Sequence, residues 1–412
     1  MIKAKTLLPS RENAAIVLTF AFVVGFLGAR ALLSIATLLL GLNALRGTSP
    51  RDWLRHKGWL LGVLWVALYA LSFFWTENKG EWGERVQVKL PLLLLPLAMA
   101  YPLALSRKQN AVLMSGVCLL LLSGVAFSLS FFIKDAAHIA EQYGRSFTFR
   151  TPAYDCHICF SAFVAAMVFW IGAQGRQLAR AARLLAGFSA LVFIGYLHLL
   201  AAKTGLVMLY GAGVLLIGRE LYRRRFRRVG LFMVAMSLLL TVAWTTMPTF
   251  RARVGYFRWS VQEYQSGRTA AHYSDPGRIY SYRVAWGLIR ESPWVGYGAG
   301  DLTAAMEAGY ERWFGEIAPE NRLVPHNQFL ASGVAVGLPA TAVLLLWWLA
   351  LPAAAWRKPH RFYNMGIWIL VSVLLFVDPA FEVQFGMAVF LFFLYWFRNL
   401  NAPKPLPASL RQ

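Results

Sequence analysis

Acidic residues are scarce in this sequence: 19 Asp and Glu stand against 41 Lys and Arg in 412 residues. The six aspartates (52, 135, 155, 275, 301 and 378) include no Asp-x-Asp pair, so the chain lacks the clustered carboxylates that usually hold a divalent cation. Cysteine is almost absent too, with three in all. Cys118 lies inside an apolar run, and Cys156-His157-Ile158-Cys159 makes a CxxC motif around a histidine. Redox or metal chemistry is open to such a motif, but no second ligand pair follows it, so two small cysteines packed in a helix are the expectation. No internal repeat is apparent, and charged residues make up only 15% of the chain.

Apolar residues fill the place of the missing charge. The chain is 58% hydrophobic, with 29 Phe and 16 Trp, far above the share in a soluble domain. Crossing a hydrocarbon layer of about 30 Å takes about 20 mostly apolar residues as a helix. Twelve such segments are expected, at 14–28, 30–45, 58–75, 87–104, 111–133, 157–173, 183–199, 203–218, 229–247, 326–352, 364–379 and 384–398. Only the hinge Ala201-Ala202-Lys203-Thr204-Gly205 separates the seventh from the eighth. The fold expected is therefore an all-α integral membrane protein.

Charge supports the count, because cytoplasmic loops retain Lys and Arg. With the N-terminus inside, the inward segments hold 24 Lys and Arg against three acids, Glu12, Asp52 and Glu220. Both termini are then cytoplasmic: 1–247 carries nine spans, 248–325 a large outward loop, 326–398 three more spans, and 399–412 a cytoplasmic tail. No cleavable signal peptide is expected, since the first apolar run is bounded by Gly28-Ala29-Arg30 and a second follows at once. The run Glu220-Leu221-Tyr222-Arg223-Arg224-Arg225-Phe226-Arg227-Arg228 resembles a nucleic-acid patch. Placed between two spans on the inside, it reads instead as a topology signal facing anionic membrane lipids, and no nucleic-acid partner is expected.

The outward loop carries its own periodicity. Phe250, Val254, Phe257, Val261 and Tyr264 recur at helical spacing, predicting a helix on the membrane surface. A second helix is expected over 278–291, ending before Pro293, and a third after Asp301 as N-cap, ending near Phe314. Between them, Gly296-Tyr297-Gly298-Ala299-Gly300 follows no strand, so tight-turn geometry is expected over a phosphate loop. The loop's charge is divided, with seven Arg over 248–290 and mostly acids over 291–322. Two readings fit: an Arg cluster for an anionic headgroup, or salt bridges between the halves.

Arg283-x-x-Trp286, then Glu291-Ser292-Pro293-x-x-Gly296-x-Gly298-x-Gly300, then His326-Asn327-x-x-Leu330 with Gly333 and Gly337 resemble the O-antigen ligase and polymerase superfamily. These are polytopic, GT-C-like transferases of undecaprenyl-pyrophosphate-linked glycans in the bacterial inner membrane, with a periplasmic active site. The resemblance implies that His326 acts on the acceptor hydroxyl and that Arg283, or Arg278 in a shifted register, contacts the donor pyrophosphate. Asn327 and Arg290 are candidate supports. Where the family often has a Ser-Arg pair, this chain has Ala202-Lys203, so Lys203 keeps the positive charge without the bidentate fork.

The residue types make chemical sense beside the resemblance. A lipid pyrophosphate is already an activated leaving group, so transfer needs an aligned acceptor and compensation for phosphate charge, with no cofactor. A metal-independent, inverting displacement is expected. Neighbouring arginines favour the neutral form of an imidazole, which suits a base. Pro325 is expected to start the following helix and fix where the ring points. His138, His157 and His272 are outward without a motif. Asp378 and Glu382 bracket the last outer turn, where they could hold a basic loop residue, though solvated acids are the expectation.

Three functions compete within the superfamily. The ligase moves O-antigen to lipid A–core oligosaccharide, the polymerase joins repeat units on the carrier, and the protein oligosaccharyltransferase glycosylates protein. Polymerases commonly show Arg-x10-Gly motifs in two outward loops; here no arginine in 134–156 or 248–325 finds such a glycine within its own loop. Protein-glycosylating relatives usually carry an extra C-terminal portion, whereas this sequence runs 14 residues past its last expected span. The ligase reading remains, with a flippase or transporter for lipid-linked glycans as the reading from another class. Transporters commonly place charges at mid-membrane and show repeated halves, which these spans do not.

Overall fold

The first two helices, α1 (Arg11–Gly28) and α2 (Arg30–Ala44), form a tight hairpin in which Gly25 leaves no room for a side chain against the backbone of Leu33. The structure, a computed structural model, describes residues 9–400 except 102, 146, 267–273 and 357–360. Among the described residues all regular structure is helical. After α3 (Pro50–Trp53) come α4 (Lys57–Leu71), α5 (Lys79–Lys89), α6 (Pro91–Ala98), α7 (Arg107–Lys134), α8 (Ala136–Gln142), α9 (His157–Gln174), α10 (Arg180–Leu200), α11 (Lys203–Tyr222) and α12 (Phe226–Thr246). The remainder is α13 (Pro248–Gln265), α14 (Ser274–Glu291), α15 (Leu302–Phe314), α16 (Gln328–Trp356), α17 (Arg361–Val377) and α18 (Gln384–Leu400).

Eight of these are long and apolar enough to cross a membrane: α1, α4 with its last turn to Phe74, α7, α9, α10, α11, α12 and α16. Three shorter apolar helices, α2, α17 and α18, occupy other expected spans. The segment expected as a single span at 87–104 is instead the end of α5 and the eight-residue α6. Proline causes the difference. Leu90 keeps helical dihedrals, but Pro91 supplies no N–H to the ladder, and Pro96 interrupts α6 again.

The core forms around α9, which is apolar on all sides and therefore buries all round. Phe163 meets Phe26, Phe392 and Phe393, and Trp170 stacks with Trp396. At the other extreme, α12 packs on α11 and α13, with only 6% of its apolar stretch buried. Its Leu231 and Met233 point away from the protein. The hinge between α10 and α11 is present: Ala201 adopts a left-handed conformation (φ 46°, ψ 33°) and Lys203 begins the next helix. In the Arg-rich turn, the nearly buried Glu220 lies 3.2 to 3.7 Å from Arg219, Arg228 and Arg225, so three of the arginines fold round one acid.

Helix α16 is not one straight rod. Gly337 has a φ of 84°, and the Thr341 hydroxyl donates to the carbonyl of Phe329 at 3.2 Å. Twelve residues of straight helix would hold those groups about 18 Å apart. The chain therefore folds at Gly337, laying 328–336 beside the start of the second arm. The carbonyls freed at the bend are taken by the glycine loop: Tyr297 and Gly298 donate their N–H groups to Val334 and Ala335 at 2.9 Å each, and Leu338 donates to Pro293 at 2.8 Å. Gly296 (φ 64°) and Gly298 (φ 105°) supply the left-handed turns this approach requires. The tight-turn expectation for that glycine run agrees with this geometry.

The loop 248–325, expected to face outward, is helical where periodicity predicts it, over α13, α14 and α15. Asp301 stands at the start of α15 but makes no side-chain cap there. Its carboxylate accepts instead from the N–H groups of Glu77 and Asn78, at 2.7 and 2.9 Å, ahead of α5. The expected cap thus serves a different helix. Two ion pairs in this region, Arg312–Glu291 and Arg322–Glu311, join residues within the acidic half.

Candidate active site

Helix α16 begins at Gln328 because Asn327 caps it: Asn327 Oδ1 accepts from the N–H of Phe329 at 2.9 Å and of Leu330 at 3.1 Å. Pro325, expected to open the helix, lies ahead of the cap and leaves that task to Asn327. His326 is thereby held between Pro325 and a fixed helix start. Its carbonyl accepts from the Tyr282 hydroxyl of α14 at 2.8 Å, and its ring Nδ1 lies 3.1 Å from Asp378 Oδ1. The contact is within ion-pair distance, yet the ring nitrogen is off the line of a hydrogen bond. Catalytic contacts are often loose without substrate and tighten on binding.

Asp378 and Glu382 correct the expectation of two solvated acids. Asp378 follows the last turn of α17, where helix carbonyls repel a carboxylate, so a nearby imidazole stabilises it. The Glu382 side chain is buried among cations and donors from three helices, α4, α5 and α16. Lys89 Nζ lies 2.8 Å and Arg85 3.1 Å from Oε2, while Tyr69 and Gln328 each donate to Oε1 at 3.0 Å. Burial alone would raise its pKa, but Lys89 and Arg85 outweigh burial and hold the carboxyl at about 2. Gln328 also accepts from the Phe381 N–H at 2.6 Å. This buried carboxylate thus fixes the first residue of α16, two positions after His326.

Charge gathers on the Tyr282 side of α14. Arg278, one turn before Tyr282, and Asp378 both act on the phenol: burial raises its pKa, Arg278 opposes and Asp378 reinforces the shift. The same Arg278 and Asp378, together with Arg253, act on the His157 ring at the start of α9. Arg253 is itself buried, over the Tyr143 ring at 4.7 Å. Arg283 and Arg290 occupy the exposed face of α14 with Trp286. Arg283 donates to the Tyr264 hydroxyl at 3.0 Å, and Arg290 lies over Trp286 at 5.4 Å. Lys203, at the start of α11, lies over the rings of Tyr256 and Phe257 at 5.8 and 5.4 Å.

The structure therefore brings His326, Asp378, Tyr282 and Arg278 together, and sets Arg283, Arg290 and Lys203 against aromatic rings of α13 and α14. Sequence reasoning named Asp378, Glu382 and His157 without placing them at the site, and missed Arg253. A signal existed for the first two, since they are the only acids after Glu320. Cys156 and Cys159 are joined as a disulfide around His157, correcting the expectation of two packed thiols, whereas Cys118 is free and buried. His272 lies outside the described residues. Among the described residues, no three His, Cys, Asp or Glu side chains gather as a metal site would need.

The described residues thus form a helical bundle with eight helices long and apolar enough to cross a membrane, with an imidazole and a carboxylate gathered where one of them begins. In the family comparison, residues 188–345, from α10 into α16, match the family described as O-antigen ligase. Lys203, Arg278, Arg283 and His326 fall inside the matched stretch; Asp378, Glu382 and His157 fall outside it. Among curated proteins, none matches the chain.

Proposed function

We propose that this chain is an O-antigen ligase, moving a glycan from undecaprenyl pyrophosphate to a sugar hydroxyl of lipid A–core oligosaccharide. The observation that carries the reading is the placement of His326 between Asp378 and Tyr282, with Arg278 on the same helix. Asp378 orients the ring from the Nδ1 side, leaving Nε2 to accept the proton of the acceptor hydroxyl. The acceptor oxygen then forms its bond to the anomeric carbon while the bond to the phosphate oxygen breaks. Undecaprenyl pyrophosphate leaves with the electron pair, its charge compensated by Arg278 and, further out, by Arg283 and Lys203. A single displacement inverts the anomeric centre, and no metal or cofactor takes part. Asn327 supports the base by starting the helix beneath it, and Arg290 adds positive charge at the rim.

Twelve crossings follow if α2, α17, α18 and the bent α5–α6 rod also cross. Both termini are then cytoplasmic in the bacterial inner membrane, and 248–325 faces the periplasm. The excess of Lys and Arg in the inward segments supports that orientation. The test is reconstitution of purified protein with lipid-linked glycan and, separately, lipid A–core or unlinked carrier repeats. Glycan on lipid A–core is the expected product; longer carrier-linked chains alone would make the protein a polymerase. His326→Ala should lower transfer on the order of 10²–10⁴-fold with membrane insertion intact, and transfer near the wild-type level would remove the base assignment.

A further inference from the structure

Away from His326, a cavity of about 380 Å³ opens between the segment leading into α5, the end of α14 and helix α15. That volume falls in the range of small-molecule sites, about 300–1,000 Å³. Its walls are Trp75, Trp313 and Tyr297, and its carboxylates are Glu77, Glu291 and Asp301. The floor is the small-residue side of α15, with Ala304 and Ala308 exposed to the space. Trp313 is laid flat by two glycines: a side chain at either Gly287 or Gly309 would collide with its ring.

The carboxylates are not equivalent. Asp301 is committed to two backbone N–H groups. Glu291 is paired with Arg312 at 2.6 Å and accepts from the Tyr297 hydroxyl at 3.2 Å. Glu77 makes no ion pair or side-chain hydrogen bond among the described residues, and its acceptor oxygens stand at the cavity. Indole walls match the C–H face of a pyranose, and an uncommitted carboxylate matches its hydroxyl rim. With three acids and only Arg312 opposing them, the cavity disfavours phosphate or carboxylate groups on the ligand.

We propose that this cavity is a binding subsite for an uncharged stretch of glycan, separate from the cationic region that meets pyrophosphate. The subsite rests on the transferase reading for its biological role, while its chemistry rests on the cavity alone. Donor glycan and acceptor core share that chemistry, and the experiment separates them.

Two probes are used with the detergent-solubilised full chain: the producing bacterium's glycan released from its lipid carrier, and its core oligosaccharide, both delipidated and dephosphorylated. Calorimetric titration should show binding of one of them, weakened at least tenfold by Glu77→Gln and abolished by Ala308→Phe, which fills the cavity from an exposed position. The phosphorylated core should bind more weakly than its dephosphorylated form. In the transfer reaction, Ala308→Phe should raise KM for the substrate whose glycan binds, with kcat little changed. Absence of wild-type binding to both probes, binding unaffected by Ala308→Phe, or preference for the phosphorylated core overturns the subsite. Failure of the transferase reading looks different: the wild type itself would move no glycan to lipid A–core or to carrier repeats while glycan binding kept its dependence on Glu77.

Discussion

The ring of His326 and the carboxylate of Asp378 meet across the gap between the start of α16 and the end of α17, 3.1 Å apart. If Asp378 sets the tautomer of the ring, Asp378→Asn should preserve expression and thermal unfolding in detergent yet lower transfer by about 10² or more. The decrease should appear in kcat with little change in KM. Full activity in this variant would leave His326 without its partner.

Arg278 and Arg283 make a paired comparison. Arg278→Gln should weaken transfer more than Arg283→Gln, because Arg278 lies on the His326 side of α14 and Arg283 on the exposed face against Tyr264. Initial rates at several donor concentrations decide it. The reverse order would move the phosphate contact to the outer face.

Glu382→Gln leaves Lys89 buried without a counter-charge, while Arg85 keeps only Glu81. Breaking one partner of a buried pair typically costs about 3–5 kcal/mol, so the variant should unfold at markedly lower temperature. Activity should fall with it, since Gln328, two residues from His326, then donates to an uncharged acceptor in a network that has lost its central charge. Unchanged thermal unfolding would show that the network is dispensable.

The same carboxylate gives a pH signature. Its folded pKa of about 2 lies below the ordinary Glu value of about 4.3, so the unfolded chain binds more protons between the two. The stabilisation is fully present above the unfolded value and is lost as pH falls through the folded one. The difference in unfolding temperature between wild type and Glu382→Gln should therefore shrink across that window and stay constant from mild acid to neutrality.

Much of the helical order was legible in sequence because it is local. The hinge before Lys203 and the three loop helices follow from periodicity and breakers within a few residues. The Glu382 network is not local: Lys89 and Glu382 are 293 residues apart, and hydropathy averages report neither such pairing nor the fold at Gly337. A 25-residue apolar window looks the same straight or doubled back. His326 was found through its motif, whereas Asp378 could be assigned only once the end of α17 was seen beside it.

Gly337→Ala tests the doubled-back helix. An added Cβ would meet the Trp294 carbonyl oxygen at 2.5 Å, and a left-handed non-glycine residue adds about 1–3 kcal/mol of strain. The variant should lose thermal stability and transfer together. Wild-type behaviour would mean that the bend tolerates a side chain.

The bend at Gly337 also determines where movement can occur during turnover. Straightening α16 would strip the glycine loop from Val334, Ala335 and Leu338, stranding three backbone donors and three acceptors at about 1–3 kcal/mol each. That corner behaves as a latch rather than a joint. On the proposed function, admission and release of long lipid-borne chains would fall to other parts of the molecule, with the floor beneath His326 staying still.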